Sequence, residues 1–291
     1  MSSRERPRRI AGLSAAQRRR AFVFTALGAL LLAAWVVARG AIWPDRHGAQ
    51  ISHFNVESRY VHRELEVTVI MPANSHPGRP LLVFLHGKGG DQDSELRNGP
   101  MFKELARLGH LAPVMAFPNG GGDSYWHDRK SGAWDHYVTR EVTRAVLRRY
   151  HTDPRRIAIG GTSMGGFGAL DIAWRLPGTF CAVGAHSPAI WQTGGQTAPG
   201  AFDDAQDFAR NNIVAVAKHH PGRFVGPRVW LDAGTTDPFR PGDKAFVTAL
   251  RAGKAPIRAH LYWHGGHDRA YWHSHWPAYL SFYASALASC G

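Results

Sequence analysis

Cysteine is scarce in this chain of 291 residues, which contains only Cys181 and Cys290. Two cysteines cannot form a disulfide framework, and the paired Cys-x-x-Cys spacing of a zinc module is missing from the sequence. Internal repeats and low-complexity segments are missing as well. The composition, with 44% hydrophobic and 20% charged residues, excludes collagen, coiled coil and wholesale disorder. We therefore expect a globular domain that depends on a packed core.

Positive charge is abundant but unevenly distributed. The formal net charge is +13, and residues 1–20 carry seven arginines against one glutamate. Because nearly half of the excess positive charge lies in this short segment, the pattern indicates a basic tail and not a basic groove. We accordingly expect no nucleic-acid partner.

A run without charges follows the basic tail. Residues 21–38 read AFVFTALGALLLAAWVVA, and at about 1.5 Å per residue they are just long enough to cross a bilayer as a helix. The arginines on the N-terminal side place residues 1–20 in the cytoplasm. The sequence thus predicts a basic cytoplasmic tail over 1–20, a single-pass transmembrane signal anchor over 21–38 and a linker over 39–50. The domain over 51–291 then lies on the extracytoplasmic side of the cell membrane.

Other interpretations of residues 21–38 stay open. A cleaved signal peptide would leave a secreted protein, although Ala38-Arg39-Gly40 is a poor match to the small-residue cleavage site. Arg19-Arg20 resembles a twin-arginine export signal, but the run is more apolar than such signals usually are. A buried core helix is the third alternative. We favour the uncleaved anchor.

Beyond residue 50, short apolar runs alternate with helical patterns. The runs predict strands near residues 53–60, 65–72, 81–87, 113–121, 156–161, 180–185, 228–232 and 257–263. Helical spacing predicts helices over 101–108, 134–150, 167–174 and 271–287. Short buried strands that alternate with helices are typical of an α/β fold, with a mostly parallel sheet covered on both faces. The conformation of residues 187–227 does not follow from the sequence.

Residues 161–165 read Gly-Thr-Ser-Met-Gly and match the pattern G-x-S-x-G. A predicted strand precedes the match and a helix follows it, which is the context of a nucleophile elbow. On so sharp a turn, a Cβ at position 161 or 165 would collide with the neighbouring backbone. We therefore predict that Ser163 is a catalytic nucleophile, the alternative being a glycine-rich turn without chemistry.

A serine hydroxyl is a weak nucleophile, so a base and an orienting carboxylate must follow it, in the chain order Ser, Asp or Glu, His. His267 lies in a glycine loop after a predicted strand, and we favour it as the base over His264. Asp237 lies in the loop after residues 228–232, and we favour it as the acid over Asp232. The predicted catalytic residues are thus Ser163, Asp237 and His267.

Such a site also needs two backbone amides that stabilise the negative charge on the reacting carbonyl oxygen. One belongs to the residue after the nucleophile, Met164, and the other to a loop after an early strand. His86-Gly87-Lys88 follows the run LLVFL, so the Lys88 amide is the predicted second donor. A phosphate-binding loop is disfavoured because no Gly-Lys-Ser/Thr sequence follows.

Three further predictions concern single residues outside this set. Trp126, in a glycine-rich loop between polar residues, is predicted to contact substrate. Cys181 and Cys290 can pair outside the cell, although the sequence does not give their distance. The spacing of the four histidines nearest the site is awkward for one coordination sphere, so no metal site is predicted. These histidines are His264, His267, His273 and His275.

Six motifs, in this order, carry a resemblance to a known family. They are LLVFLHGKGG, PNGGGDSYWHD, HYVTREV, RRIAIGGTSMGGFGAL, LDAGTTDPF and GGHDRAYW. Over residues 51–287 the chain resembles the esterase family that includes esterase D, feruloyl esterases and the antigen 85 mycolyltransferases. The resemblance implies an α/β-hydrolase fold, no cofactor and a Ser-Asp-His triad on Ser163, Asp237 and His267. Arg269 stands where members of the family often have Trp, so no particular substrate is carried over.

These observations predict a serine esterase that hydrolyses a small-molecule, lipid or aryl ester through an acyl-enzyme. If an alcohol competes with water for the acyl-enzyme, the same site becomes an acyltransferase acting on a cell-envelope alcohol. A non-catalytic envelope-binding protein on the same scaffold is the alternative from another class. The sequence does not determine the oligomeric state.

Overall fold

A computed structural model of the chain describes residues 43–290 and, before them, only Gly28. The chain divides into two units, residues 1–44 and residues 45–291. The second unit begins at Asp45, ahead of the boundary predicted at residue 51, and it contains the strands and helices given below.

A central eight-stranded sheet dominates the second unit. In chain order, the strands of this unit are β1 (Gln50–Ser58), β2 (Arg63–Met71), β3 (Leu81–Leu85), β4 (Val114–Pro118), β5 (Asp128–Arg129), β6 (Gly132–Ala133), β7 (Ile157–Thr162), β8 (Ala182–His186), β9 (Arg228–Asp232) and β10 (Arg258–His260). Strands β5 and β6 form a separate hairpin. The order across the large sheet is β1-β2-β4-β3-β7-β8-β9-β10. The pairs β1–β2 and β2–β4 are antiparallel and the remaining pairs are parallel, so the predicted mostly parallel sheet is confirmed.

Helices cover both faces of this sheet. In chain order, the α-helices of the second unit are α1 (Gly99–Leu108), α2 (Trp134–His136), α3 (Thr143–Arg149), α4 (Met164–Arg175), α5 (Ala205–Arg210), α6 (Ile213–His219), α7 (Arg240–Ala252) and α8 (Arg269–Ala288). A π-helical stretch, Tyr137–Val142, joins α2 to α3. Short 3-10 helices lie at Gly109–Leu111, Gly194–Gln196 and Pro221–Phe224. Helices α1 and α8 contribute to one buried core, and α3, α4, α6 and α7 contribute to the other.

The strands that lead to the predicted site are apolar throughout. Every residue of β3 (LLVFL) and of β7 (IAIGGT) is buried, because each strand has a helical layer on both faces. The helices begin at polar caps. The Asn98 side chain accepts a hydrogen bond from the amide of Met101 at the start of α1, and Asp268 accepts one from the amide of Tyr271 at the start of α8. The cap at Asp268 therefore begins α8 immediately after His267.

The segment 187–227, whose conformation the sequence left undetermined, contains α5 and α6. Both helices begin at a side chain that accepts a hydrogen bond from an amide of the first turn, Asp204 for α5 and Asn212 for α6. Each helix has only six or seven residues, which is too short for a helical period to stand out in the sequence. The tertiary contacts of this segment therefore decide its conformation.

One disulfide closes the second unit. Cys181, directly before β8, is bonded to Cys290, directly after α8, with 5.8 Å between the two Cα atoms. The pairing that the sequence allowed is thus present. It joins positions 109 residues apart, and it fixes the end of α8 to the centre of the sheet.

The predicted membrane anchor lies, apart from Gly28, outside the described residues. Within residues 43–290 and at Gly28, no helix combines the length and the apolar character that crossing a bilayer requires.

Candidate active site

The predicted site residues lie at one edge of the sheet, where the parallel strands end. Ser163 directly follows β7, and His86 directly follows β3. Asp237 lies in the loop after β9 and His267 in the loop after β10. In open α/β sheets, ligands bind outside the carboxyl ends of the strands. This edge of the sheet is therefore where a site is expected.

Ser163 occupies a sharp turn between β7 and α4. Its φ is +54° and its ψ is −115°, a conformation that non-glycine residues rarely adopt. A Cβ at position 165 would lie 2.0 Å from the backbone oxygen of Leu85, and one at position 161 would lie 2.5 Å from the same atom. The two glycines are thus required by close backbone contact, as the sequence pattern indicated. The turn places Ser163 at the edge of the sheet, where the residue is 8% exposed.

A chain of hydrogen bonds links the three predicted catalytic side chains. His267 Nε2 lies 2.8 Å from Ser163 Oγ, and His267 Nδ1 lies 2.9 Å from Asp237 Oδ2. The other oxygen of Asp237, Oδ1, accepts a hydrogen bond from the amide of Phe239 at 2.8 Å, which orients the carboxylate. The competing candidate His264 is exposed at the surface. The geometry therefore brings together the residues that the sequence favoured.

The His267 ring lies between aromatic neighbours. The centroid of Phe239 is 4.9 Å from the ring and that of Trp272 is 5.2 Å from it. Trp191 packs edge-on against Phe239, and all three aromatic side chains are partly exposed. The Asp237 side chain is completely buried, whereas 18% of the His267 side chain is exposed. The Asp237 end of the hydrogen-bonded chain is thus shielded from water, whereas the His267 ring is partly accessible.

The loop after β3 and the start of α4 both lie next to Ser163. Gly87 lies so close that a Cβ there would be 3.4 Å from the Cβ of Ser163, and Lys88 follows it in an exposed turn. Met164 is the first residue of α4, where amides have no acceptor within the helix. The positive end of the α4 dipole points toward the Ser163 side chain. These positions agree with a site for a negatively charged oxygen.

His86 and Trp126 support the loop that carries Gly87 and Lys88. His86 Nε2 accepts a hydrogen bond from the amide of Gly120, which leaves Nδ1 to donate to the oxygen of Gly87 at 2.8 Å. Burial lowers the pKa of His86, in agreement with this neutral form. Trp126 Nε1 donates to the backbone oxygen of His86 at 3.1 Å.

The prediction that Trp126 contacts substrate is wrong, because the side chain is completely buried. The side chain packs against Gly120 and Gly168, where an added Cβ would lie 2.3 Å from the indole Cη2 and 2.4 Å from Trp126 Cβ. Gly120 belongs to the glycine-rich loop before Trp126, and Gly168 belongs to α4. Trp126 therefore acts on the site only through the loop that contains His86.

Two groups of side chains in the described part of the chain have the spacing of a cation site. They are His53 with Glu66 and Asp93, and Asp128 with Asp135 and His136. Neither group includes His264, His267, His273 or His275. Neither group belongs to the hydrogen-bonded chain of Ser163, His267 and Asp237.

Cavity size does not locate the site in this protein. A cavity of about 690 Å³ lies at the other ends of β9 and β10, where Arg228 and Arg258 begin these strands. None of Ser163, Asp237 and His267 lines it. The arrangement of the side chains, and not the volume, therefore identifies the candidate active site.

Comparison with protein families places most of the chain in one of them. The sequence profile of the family described as "Putative esterase" matches residues 58–283. S-formylglutathione hydrolase of Bos taurus is 26% identical over 168 residues, which cover 53% of this chain and 58% of that enzyme. Esterase Rv1288 of Mycobacterium tuberculosis is 26% identical over 230 residues, which cover 67% of this chain and 48% of that protein. The match therefore spans only about half the length of these curated relatives.

Solved structures share the fold at low sequence identity. A ferulic acid esterase superposes with a TM-score of 0.73 at 22% identity, covering 82% of this chain and 98% of the other. S-formylglutathione hydrolase from Agrobacterium tumefaciens gives a TM-score of 0.72 at 18% identity, covering 84% and 98%. Mycobacterium tuberculosis MPT51 gives 0.65 at 17% identity, covering 82% and 99%. These similarities show an α/β-hydrolase type of fold.

Proposed function

Because the chain belongs to this esterase family, we propose that it is a serine esterase that hydrolyses carboxylic esters through an acyl-enzyme on Ser163. One observation carries the proposal: His267 lies within hydrogen-bond distance of both Ser163 Oγ and Asp237 Oδ2. A nucleophile, a base and a group that orients the base are the minimum that acyl transfer through serine needs.

In the proposed reaction, Ser163 Oγ attacks the carbonyl carbon of the ester while His267 Nε2 accepts its proton. Asp237 accepts a hydrogen bond from His267 Nδ1–H, which holds the neutral ring in the correct tautomer and stabilises the imidazolium that forms. His267 then gives the proton to the leaving alcohol. Water attacks the acyl-enzyme, with His267 again as the base, and the acid is released.

The oxyanion of each tetrahedral intermediate is assigned to the amides of Lys88 and Met164. The close approach of Gly87 to Ser163 and the position of Met164 at the start of α4 support this assignment. The loss of one such donor typically costs about 3–4 kcal/mol of transition-state stabilisation. Phe239 and Trp272, which flank His267, favour an ester with an apolar or aryl group.

We also propose that residues 45–291 work outside the cytoplasmic membrane, held there by the apolar segment 21–38. The arginine-rich segment that precedes this run supports the orientation. The disulfide between Cys181 and Cys290 supports the compartment, because such bonds persist mainly in oxidising environments.

The test of the enzymatic assignment is labelling with a fluorophosphonate, combined with hydrolysis of p-nitrophenyl butyrate by the purified full-length chain. The wild type should be labelled and active. Ser163→Ala should lose labelling and at least about 1,000-fold of kcat, because the covalent step is removed. Ser289→Ala, which changes a distant serine after α8, is the matched control and should behave as wild type.

Two outcomes would change the assignment. A wild-type chain that ignores both reagents would contradict the esterase and favour the non-catalytic binding protein. A product ester that increases with the concentration of an added alcohol would assign the chain to acyl transfer, since an acceptor would then compete with water. A rate of acid release that does not depend on the alcohol is the result expected for hydrolysis.

A further inference from the structure

We propose that Asp232 is a positioning residue that holds the three chain segments carrying Ser163, Asp237 and His267 in place, through a buried cluster of hydrogen bonds. The inference rests on the proposed function, in which these three side chains act together. The Asp232 cluster, as we name it, takes no part in the proton transfers. Its members are Asp232 and the four side chains that donate to it, His186, Trp230, Tyr271 and Tyr279. Tyr283 bonds His186 and has no hydrogen bond to Asp232.

Asp232 lies at the end of β9 and its side chain is completely buried. Its Oδ1 atom accepts hydrogen bonds from His186 Nδ1 and Trp230 Nε1, both at 2.7 Å. Its Oδ2 atom accepts from the hydroxyls of Tyr271, at 2.9 Å, and Tyr279, at 2.8 Å. Four donors match the four lone-pair positions of an ionised carboxylate. A buried carboxylate with this number of partners has a strong preference for one geometry.

One arrangement of protons gives every hydrogen bond of the cluster a donor and an acceptor. His186 Nδ1 donates to Asp232, so His186 Nε2 is free to accept from the Tyr283 hydroxyl at 2.8 Å. Burial is the main reason that the pKa values of Tyr271, Tyr279 and Tyr283 lie well above the usual range. These hydroxyls therefore stay protonated and remain donors. In this arrangement both ring nitrogens of His186 and all three tyrosine hydroxyls have a partner.

The cluster reaches the nucleophile through His186. The backbone oxygen of His186 accepts a hydrogen bond from the amide of Ser163 at 2.9 Å, and β8 pairs with β7 up to this point. The backbone oxygen of Asp232 accepts from the amide of Ser187 at 2.7 Å. The ends of β7, β8 and β9 are therefore held together beneath Ser163, and Asp237 follows β9 after only four intervening residues.

The cluster reaches the base through Tyr271. This residue lies in the first turn of α8, just after His267, and its ring packs on Gly265, where a Cβ would lie 2.5 Å from Cδ2. The oxygen of Gly265 accepts hydrogen bonds from both the amide and the hydroxyl of Thr236, the neighbour of Asp237. The hydrogen bond from Tyr271 to Asp232 therefore anchors the loop of His267 against the loop of Asp237.

This arrangement distinguishes two tyrosines that otherwise look alike. Tyr271 and Tyr283 are both buried on α8, but the Tyr271 hydroxyl donates to Asp232 whereas the Tyr283 hydroxyl bonds only His186. Tyr271 contacts the loop that carries His267, whereas Tyr283 packs on β7 and β8 at Gly160 and Gly184. Because a displacement of about 1 Å can cost about 100-fold in rate, removal of the first hydroxyl should affect catalysis and removal of the second should not.

The experiment compares Tyr271→Phe with Tyr283→Phe in the full-length chain. Each variant loses one buried hydroxyl, so both should lose a similar amount of stability, on the order of 1–2 kcal/mol in the free energy of unfolding. Tyr271→Phe should lower kcat for p-nitrophenyl butyrate by about 10-fold or more, with KM within about twofold of wild type. Tyr283→Phe should keep kcat within about twofold. A kcat loss that is equal in the two variants, or a normal kcat in Tyr271→Phe, would overturn the proposal.

A second readout does not depend on turnover. The proton on His267 Nδ1 that bonds Asp237 should give a far-downfield NMR resonance, assigned by its absence in Asp237→Asn. We expect this resonance unchanged in Tyr283→Phe and shifted or broadened in Tyr271→Phe. If the wild type shows no esterase activity, the proposed function fails while the NMR comparison still tests the positioning. Asp232→Asn replaces one acceptor oxygen with an amino group that would face two donors, and it is expected to fold poorly, so the Phe variants decide the question.

Discussion

Ser163 combines a rare backbone conformation with two neighbours that must lack a side chain. The turn is possible because Gly161 and Gly165 leave room for the backbone oxygen of Leu85, at the end of β3. A Cβ at these positions would lie 2.5 Å and 2.0 Å from that oxygen. At this scale the sequence is a reliable guide, because the requirement is local and steric. The pattern of residues 161–165 therefore predicted this turn and placed the proposed nucleophile on it.

The first prediction tests this steric requirement. Gly165→Ala places a Cβ 2.0 Å from the backbone oxygen of Leu85 and 2.8 Å from that of His86, and neither atom can move away alone. We expect a loss of about 3 kcal/mol in the free energy of unfolding and at least about 100-fold in kcat. Thermal melting and ester hydrolysis measure the two effects.

Gly222→Ala is the control for this substitution. Nothing lies within 4 Å of the Cβ that it adds, and the residue is exposed in a 3-10 helix. Its stability and kcat should stay close to those of wild type. A Gly165→Ala variant that also keeps both values would show that the elbow does not need the close backbone contact.

Trp126 shows where single-residue inference from sequence fails. Polar and glycine neighbours made it look exposed, yet the glycines that receive its ring are Gly120, in a loop six residues before it, and Gly168, in α4. Burial of a side chain depends on which distant segments meet it, and a local window does not contain that information. Tyr271 and His186 escaped prediction for the same reason.

At the scale of elements, periodicity identified the buried strands and the helices α1, α4 and α8. The segments α2 and α3 form, with the π-helical stretch between them, the helix predicted over 134–150. Helix α7 and the short helices α5 and α6 escaped prediction. The hairpin of β5 and β6 escaped as well, because two residues in each strand are too few to show alternation.

The contact between this hairpin and α2 makes stability depend on pH. Asp135 is partly buried, and its amide donates to Asp128 Oδ1 at 3.1 Å. Burial and the nearby carboxylate of Asp128 raise the pKa of Asp135 to about 7. The folded chain therefore keeps a proton that the unfolded chain releases at lower pH, and this contribution to stability is lost as pH rises toward 7.

Asp135→Asn should remove that dependence, because an amide resembles the protonated acid and does not titrate. Between pH 5 and pH 8, the free energy of unfolding of the variant relative to that of wild type should increase by about 2–3 kcal/mol. Asp123→Asn, which removes an exposed carboxylate, should follow wild type at both pH values. An Asp135→Asn variant that gains nothing between pH 5 and pH 8 would contradict the raised pKa.

At the scale of the whole molecule, the disulfide between Cys181 and Cys290 spans 109 positions and closes α8 onto the sheet. In the chain-entropy account, a closed loop of this length stabilises the folded state by about 5 kcal/mol. Cys181→Ser with Cys290→Ser should therefore melt well below wild type. Wild type in reductant should have the same melting temperature as the double variant. This comparison controls for the serine substitutions.

The same bond tests the compartment. In intact cells, chain at the extracytoplasmic face should resist thiol alkylation until a reductant is added. Free thiols in the untreated wild type, together with melting unchanged by reductant, would show that the bond does not form and would remove its support for export.

The sequence by itself determined the features that depend on short stretches of chain. These are the buried strands and the sharp turn at Ser163, on which the proposed nucleophile lies, each decided by local sterics or periodicity. The tertiary structure alone decided that Trp126 is a core residue, that the two cysteines meet, and that Asp232 connects the segments of the site. Each of these outcomes depends on segments far apart in the chain meeting at the end of the sheet, and only the packing of the complete fold determines which ones meet.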